Sequence, residues 1–216
     1  MRLRRLLVLA ILAALPLAAL APAGARADAE SEIARGNDAF AQRNYTQAIT
    51  NFSNALRQGG LSNNRRAYVY LRRGRAYYQN KQYQQAIADH RQAVQINPQY
   101  YTAYWNLGLD YEAVRQYGEA ADAHSQAIRI KPDFYQAFID RGNCFLNMRE
   151  YREALKDYET ALAIRPNYAI GWNNRGVAYA RLGNKAEAAR SYRRALQLDP
   201  NYKLARENLT KLEEGR

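Results

Sequence analysis

The chain is poor in residues that build covalent or metal staples. Its 216 residues hold one cysteine, Cys144, and two histidines, His90 and His124. A single cysteine excludes an intramolecular disulfide, so stability has to come from packing. Cys144 reads either as a small buried helix residue or as a reactive or intermolecular thiol. One Cys and two His do not complete a Cys/His zinc set. The two histidines, 34 positions apart, read as one slot in two repeats, so neither a metal nor a cofactor is expected. Glycine-rich phosphate loops, nucleophile elbows and persuasive carboxylate dyads are missing too, which argues against an enzyme. Acids are scarce: 20 Asp and Glu stand against 32 Lys and Arg, a formal charge of +12.

Long apolar runs are also lacking, with one exception. Leu6 to Leu20 is 15 residues of Leu, Ala, Val and Ile broken only by Pro16. A membrane span needs roughly 20. The run follows the basic head Met1-Arg2-Leu3-Arg4-Arg5 and leads to Ala25-Arg26-Ala27. Basic head, short apolar core and small-x-small exit are the parts of a signal peptide. Residues 1–27 are therefore expected to be cleaved near Ala27, placing the protein in the periplasm or outside the cell. Retention as an anchor, which would bring membrane contact, is the alternative. Removing the four arginines before Asp28 lowers the formal charge from +12 to about +8.

What the chain does have is a period of 34. Gly74, Gly108, Gly142 and Gly176 keep that step. So do Ala86, Ala120, Ala154 and Ala188; Ala93, Ala127, Ala161 and Ala195; and Pro98, Pro132, Pro166 and Pro200. Aromatic columns share the register: Tyr70, Tyr104, Phe138 and Trp172 before each glycine, and Tyr77, Tyr111, Phe145 and Tyr179 after it. The second column reads as filler between units or as an aromatic binding box. Gly36, Ala48, Phe52 and Ala55 form a degenerate earlier copy. Its four extra residues are expected as turn in the stretch Gly59 to Asn64. Within one unit, Tyr151, Ala154, Leu155, Tyr158, Ala161 and Leu162 make one apolar stripe of a helix. A tight turn at Arg149-Glu150 makes the two helices of a unit antiparallel. Small Gly142 and Ala154 suit close helix contact, and Pro166 ends the second helix. Asp133, Asn167 and Asn201 are expected to cap the helices that follow.

This pattern resembles the tetratricopeptide repeat family across nearly all of Ala29 to Tyr202. Ala103-Tyr104-Trp105-Asn106-Leu107-Gly108 and Tyr151-Arg152-Glu153-Ala154-Leu155 carry the resemblance. It implies an all-α, right-handed solenoid of five antiparallel helix-pair repeats, residues 29–66 (with the insertion), 67–100, 101–134, 135–168 and 169–202. A capping helix over 203–216 follows, with a wetter outer face. The chain departs from the family where Arg35, Arg73, Arg141 and Arg175 replace the usual Leu before the glycine. Their stems are expected to cover apolar surface while the charge reaches water.

The resemblance also implies a concave groove lined by the first helix of each unit. It maps Asn37, Tyr68, Arg72, Arg75, Trp105, Asn106, Asn143, Asn147, Asn174 and Arg181 onto that groove, and Leu109, Glu112, Ile139 and Asp140 fall at further groove offsets. Amides at Asn106, Asn174, Asn37 and Asn143 suit a peptide backbone or, equally, bonds between helices. Arg72 and Arg75, one turn apart, can grip a carboxylate or phosphate. Tyr68 and Trp105 are candidate apolar anchors. Relatives that clamp a chaperone's C-terminal carboxylate need a Lys and Asn set absent here, with Arg75 where one Asn is required. The expected function is an envelope adaptor that holds a protein or peptide segment. Binding of an anionic envelope polymer or surface is the alternative, and nucleic acid is disfavoured by export.

Overall fold

A computed structural model of the chain describes residues 23–215. The basic head and apolar run of the expected leader lie outside the described residues. Eleven helices and no strand are present among those described. They alternate as first and second helices of five pairs: α1 (Ala23–Ala41) with α2 (Tyr45–Gln58), α3 (Asn63–Gln79) with α4 (Tyr83–Ile96), α5 (Tyr101–Ala113) with α6 (Tyr117–Ile130), α7 (Tyr135–Asn147) with α8 (Tyr151–Ile164), and α9 (Ala169–Arg181) with α10 (Lys185–Leu198). The last helix, α11 (Lys203–Glu213), packs on α9 and α10. It buries Ala205 and leaves Leu204 exposed.

The small-residue columns face each other inside the pairs. Ala86, Ala120, Ala154 and Ala188 are fully buried. Each repeat glycine lies flat against a ring 16 residues later on the partner helix: Phe52, His90, His124, Tyr158 and Tyr192 in turn. A Cβ on Gly142 would stand 2.7 Å from Cε1 of Tyr158, closer than atoms can pack. Such a glycine costs its helix about 1 kcal/mol against alanine. The ring it admits is among the largest fully buried side chains, and burying one is worth about 1.5–3 kcal/mol.

Curvature follows from which helices meet. Successive first helices touch (α1 with α3, α3 with α5, α5 with α7, α7 with α9), and successive second helices do not. The first helices therefore line the inside of the arc.

Three expectations need correction. The extra residues of the first repeat do not all form turn. Ser62 accepts from the Arg65 amide at 3.3 Å, and Asn63 and Asn64 open α3, which at 17 residues is a turn longer than the 13-residue α5, α7 and α9. Asp133, Asn167 and Asn201 do not cap. The caps are Phe134, Tyr168 and Tyr202, which make no side-chain cap bond. Two of these rings pack edge-on instead, Phe134 on Tyr101 and Trp105, and Tyr168 on Tyr135. Ring burial outweighs a cap worth about 1 kcal/mol.

Third, the arginines before the glycine do not all reach for water. Arg73 forks onto Asp89 at 2.7 and 2.8 Å, and Arg141 onto Asp157 at 2.8 and 2.7 Å. Both aspartates are buried. Each guanidinium lies between the two aromatic columns, Arg73 between Tyr70 and Tyr77, Arg141 between Phe138 and Phe145. Arg175 sits likewise between Trp172 and Tyr179 and bonds Ser191 and Glu159. A fork needs a planar donor, and Arg supplies it. Only Arg35 is exposed as expected. Where Leu107 replaces the arginine, Ala123 replaces the aspartate.

Candidate functional site

The inner face divides into three groups of side chains. At its first end, Arg72 and Arg75 of α3 both lie over the ring of Phe40 from α1, at 5.0 and 5.5 Å. Neither forms an ion pair among the described residues, and Arg72 Nε is buried without a hydrogen-bond partner. Burial, then the neighbouring Arg72 charge, pushes the Arg75 guanidinium below its ordinary range. Two uncompensated cations on an aromatic platform are poised for an anion. Beside them the Tyr68 hydroxyl donates to Asn37 Oδ1 at 3.3 Å.

The middle group joins α5 and α7. Trp105 Nε1 donates to Asp140 Oδ2 at 2.7 Å, and its ring packs edge-on to Phe134. Burial raises the Asp140 carboxyl to about 6; the His124 charge and the Trp105 bond oppose the rise, and Glu112 adds to it. The Asn106 amide is turned back to Thr102 O at 2.6 Å. Behind Asp140, His124 Nε2 meets Glu112 Oε1 at 2.9 Å.

In the third group, Asn143 Oδ1 accepts from Asn174 Nδ2 and from the Tyr158 hydroxyl, both at 2.9 Å. Asn208 of α11 donates to Asn173 Oδ1 at 3.0 Å. Asn147 bonds the backbone oxygen of Asn143, one turn back. Arg181 stands apart, at the mouth of a hollow of about 300 Å³ shared with Val177, Tyr192, Asn208 and Leu212.

The structure thus brings Asn37, Tyr68, Arg72 and Arg75 together, and Asn143 with Asn174. It leaves Trp105 and Asn106 in the middle group and Arg181 apart from all three groups. Bonds between neighbouring first helices occupy Asn37, Asn143 and Asn174. Phe40, under both arginines, escaped the sequence reading. It holds the same offset from Gly36 that Tyr78 holds from Gly74, but the aromatic columns lapse in this degenerate copy, at Glu32 and Ala39. Counting Cys and His alone also missed that Glu112, His124 and Cys144 converge.

Paired helices, inner first helices and the glycine–ring contact decide the architecture. The chain has the tetratricopeptide-repeat fold. The family described as Tetratricopeptide repeat matches residues 139–203, and that described as TPR repeat matches 74–114. The small glutamine-rich tetratricopeptide repeat-containing protein 2 of Saccharomyces cerevisiae is 35% identical over 83 residues, 38% of this chain. The match spans only 23% of that protein's length. A crystal structure of MamA protein superposes with a TM-score of 0.73 at 22% identity, over 82% of this chain and 96% of that one. YrrB, described as a TPR protein with an unusual peptide-binding site, gives 0.70 at 22% identity, over 83% and 91%.

Proposed function

We propose that this tetratricopeptide-repeat protein is a non-catalytic scaffold of the cell envelope. It holds an extended segment of a partner protein along the inner face. The observation that carries this reading is the Arg72 and Arg75 pair, two cations over Phe40 with no ion pair among the described residues, at one end of a groove lined by first helices. An acidic side chain or chain terminus of the partner docks there. The rest of the segment passes Trp105, Asn106, Asn143 and Asn174, and the three amides exchange their present bonds for the peptide backbone. YrrB's peptide-binding site, on the same fold, supports the reading.

Peptide arrays with one or two acidic residues per segment, probed with the full chain, test it. Replacing Arg72 and Arg75 together by Gln is expected to weaken captured peptides at least 10-fold without loss of helix. Binding that is indifferent to those changes, or that holds for polyphosphate and collapses with modest salt, contradicts a peptide groove and favours an anionic polymer.

Export is part of the proposal and rests on the basic head, apolar run and Ala25-Arg26-Ala27 exit. A cut after Ala27 shortens α1 but keeps Ala29 and Ile33, both fully buried. Among the described residues no helix is long and apolar enough to cross a membrane. N-terminal sequencing of protein from its native source is expected to begin at Asp28. A start at Met1 contradicts cleavage.

A further inference from the structure

Between the third and fourth repeats the chain assembles donors from three helices. Ligand atoms of Glu112 (α5), His124 (α6) and Cys144 (α7) all lie within 4.8 Å of one another. His124 and Cys144 are fully buried, and the Glu112 side chain is 23% exposed. Asp140 stands one helical turn before Cys144 on α7, so both project from one face. Its charge acts on the same group: His124 and Glu112 are among the charges that set its carboxyl, and Asp140 and Glu112 among those that raise the Cys144 thiol.

As a purely protein network this arrangement is poorly satisfied. His124 Nδ1 is buried with no hydrogen-bond partner, although the ring itself is locked by Gly108 on one side and Glu112 on the other. An orphaned buried nitrogen costs about 1–3 kcal/mol. Two carboxylates beside a thiol concentrate negative charge where burial disfavours it. A bound cation offsets that charge; held by Glu112, it meets His124 through Nε2, the nitrogen that already faces this carboxylate.

We propose that Glu112, His124 and Cys144, with Asp140 or water as fourth ligand, form a zinc-class transition-metal site that staples the third repeat to the fourth. Thiolate, imidazole and carboxylate together select such an ion over magnesium or calcium. Zinc bonds of about 2.0–2.3 Å put tetrahedral ligand atoms roughly 3.3–3.7 Å apart. The present spacing therefore closes by about 1 Å, within the reach of the flexible Glu112 side chain. Its partial exposure provides the entry path. Binding takes the proton from the Cys144 thiol and releases it to solvent, so affinity falls as pH drops. As fourth ligand, Asp140 is oriented by the same ion while it accepts from the Trp105 indole, which ties the site to Trp105.

Cobalt(II) titration of the reduced full-length chain tests the site. A 1:1 endpoint with a thiolate-to-cobalt charge-transfer band is expected, and zinc should displace the band and raise the melting temperature. His124→Phe is the decisive variant, because the same slot holds Phe52, Tyr158 and Tyr192 in other repeats, so the variant is expected to fold. It should lower cobalt affinity at least 10-fold and abolish the zinc-dependent melting shift; Cys144→Ala should remove the band. If the native chain shows no band at excess cobalt, or both variants keep the native affinity, the site does not exist.

Discussion

Arg141 grips Asp157 across the fourth helix pair, a two-bond fork roofed by Phe138 and Phe145. The third repeat carries Leu107 and Ala123 at the two equivalent positions. Arg141→Leu alone strands a buried carboxylate and is expected to cost about 3 kcal/mol. Adding Asp157→Ala recreates the third repeat's pair and should recover most of that loss. Urea denaturation of the two variants checks this; a double variant no better than the single one contradicts it.

The turns inside the helix pairs store a smaller strain. Arg43, Lys81, Arg115 and Arg149 adopt left-handed φ angles of 60 to 65°, where the fifth repeat has Gly183. In the fourth pair the Glu150 amide reaches back to Phe145 O at 2.8 Å and Arg149 to Leu146 O at 3.1 Å, closing a Schellman turn. A side chain in that conformation costs about 1 kcal/mol, and a cation at a helix C-terminus returns about 0.3–1 kcal/mol. Arg115→Gly and Arg149→Gly are each expected to stabilise by about 0.5 kcal/mol. Thermal melts that fall on substitution would contradict this account of the turn.

Asp140 makes stability depend on pH. Its folded-state carboxyl is raised from 3.8 to about 6, so its contribution is full below pH 3.8 and is lost as pH rises through about 6. A tenfold change in a carboxyl's proton affinity corresponds to about 1.4 kcal/mol. In metal-free buffer, Asp140→Asn is expected to stabilise by about 2 kcal/mol at pH 7.5 and by little at pH 4. The new side-chain oxygen can still accept from Trp105. Equal effects at both pH values would show that Asp140 is not burdened by its charge.

Most of the architecture was legible because one register repeats. Gly142, Ala154, Ala161 and Pro166 recur with their counterparts at a step no chance pattern keeps, and each demands the same local geometry. Contacts across a pair were harder to see. Arg141 looked like a surface cation because its partner, Asp157, lies 16 residues away on another helix, outside any one-helix pattern. The capping expectation at Asp133 weighed a local hydrogen bond and not the neighbouring ring of Phe134. For the inner face, Asn174 could be placed but not partnered, since its bond to Asn143 depends on the angle between repeats. Phe40 sits in the degenerate first copy, where Glu32 and Ala39 stand in place of the aromatic columns.

The central claim is that a partner lies along the first helices and not on the outer face. Photo-crosslinking in the native source is its most direct test, with a benzophenone residue at Leu109, which holds the offset from Gly108 that Asn143 holds from Gly142, or at exposed Asp122 on α6. The expected result is one protein adduct from Leu109, lost when Arg72 and Arg75 are both Gln, and none from Asp122. Adducts from Asp122 alone, or Leu109 adducts unmoved by the arginine changes, would contradict the proposal.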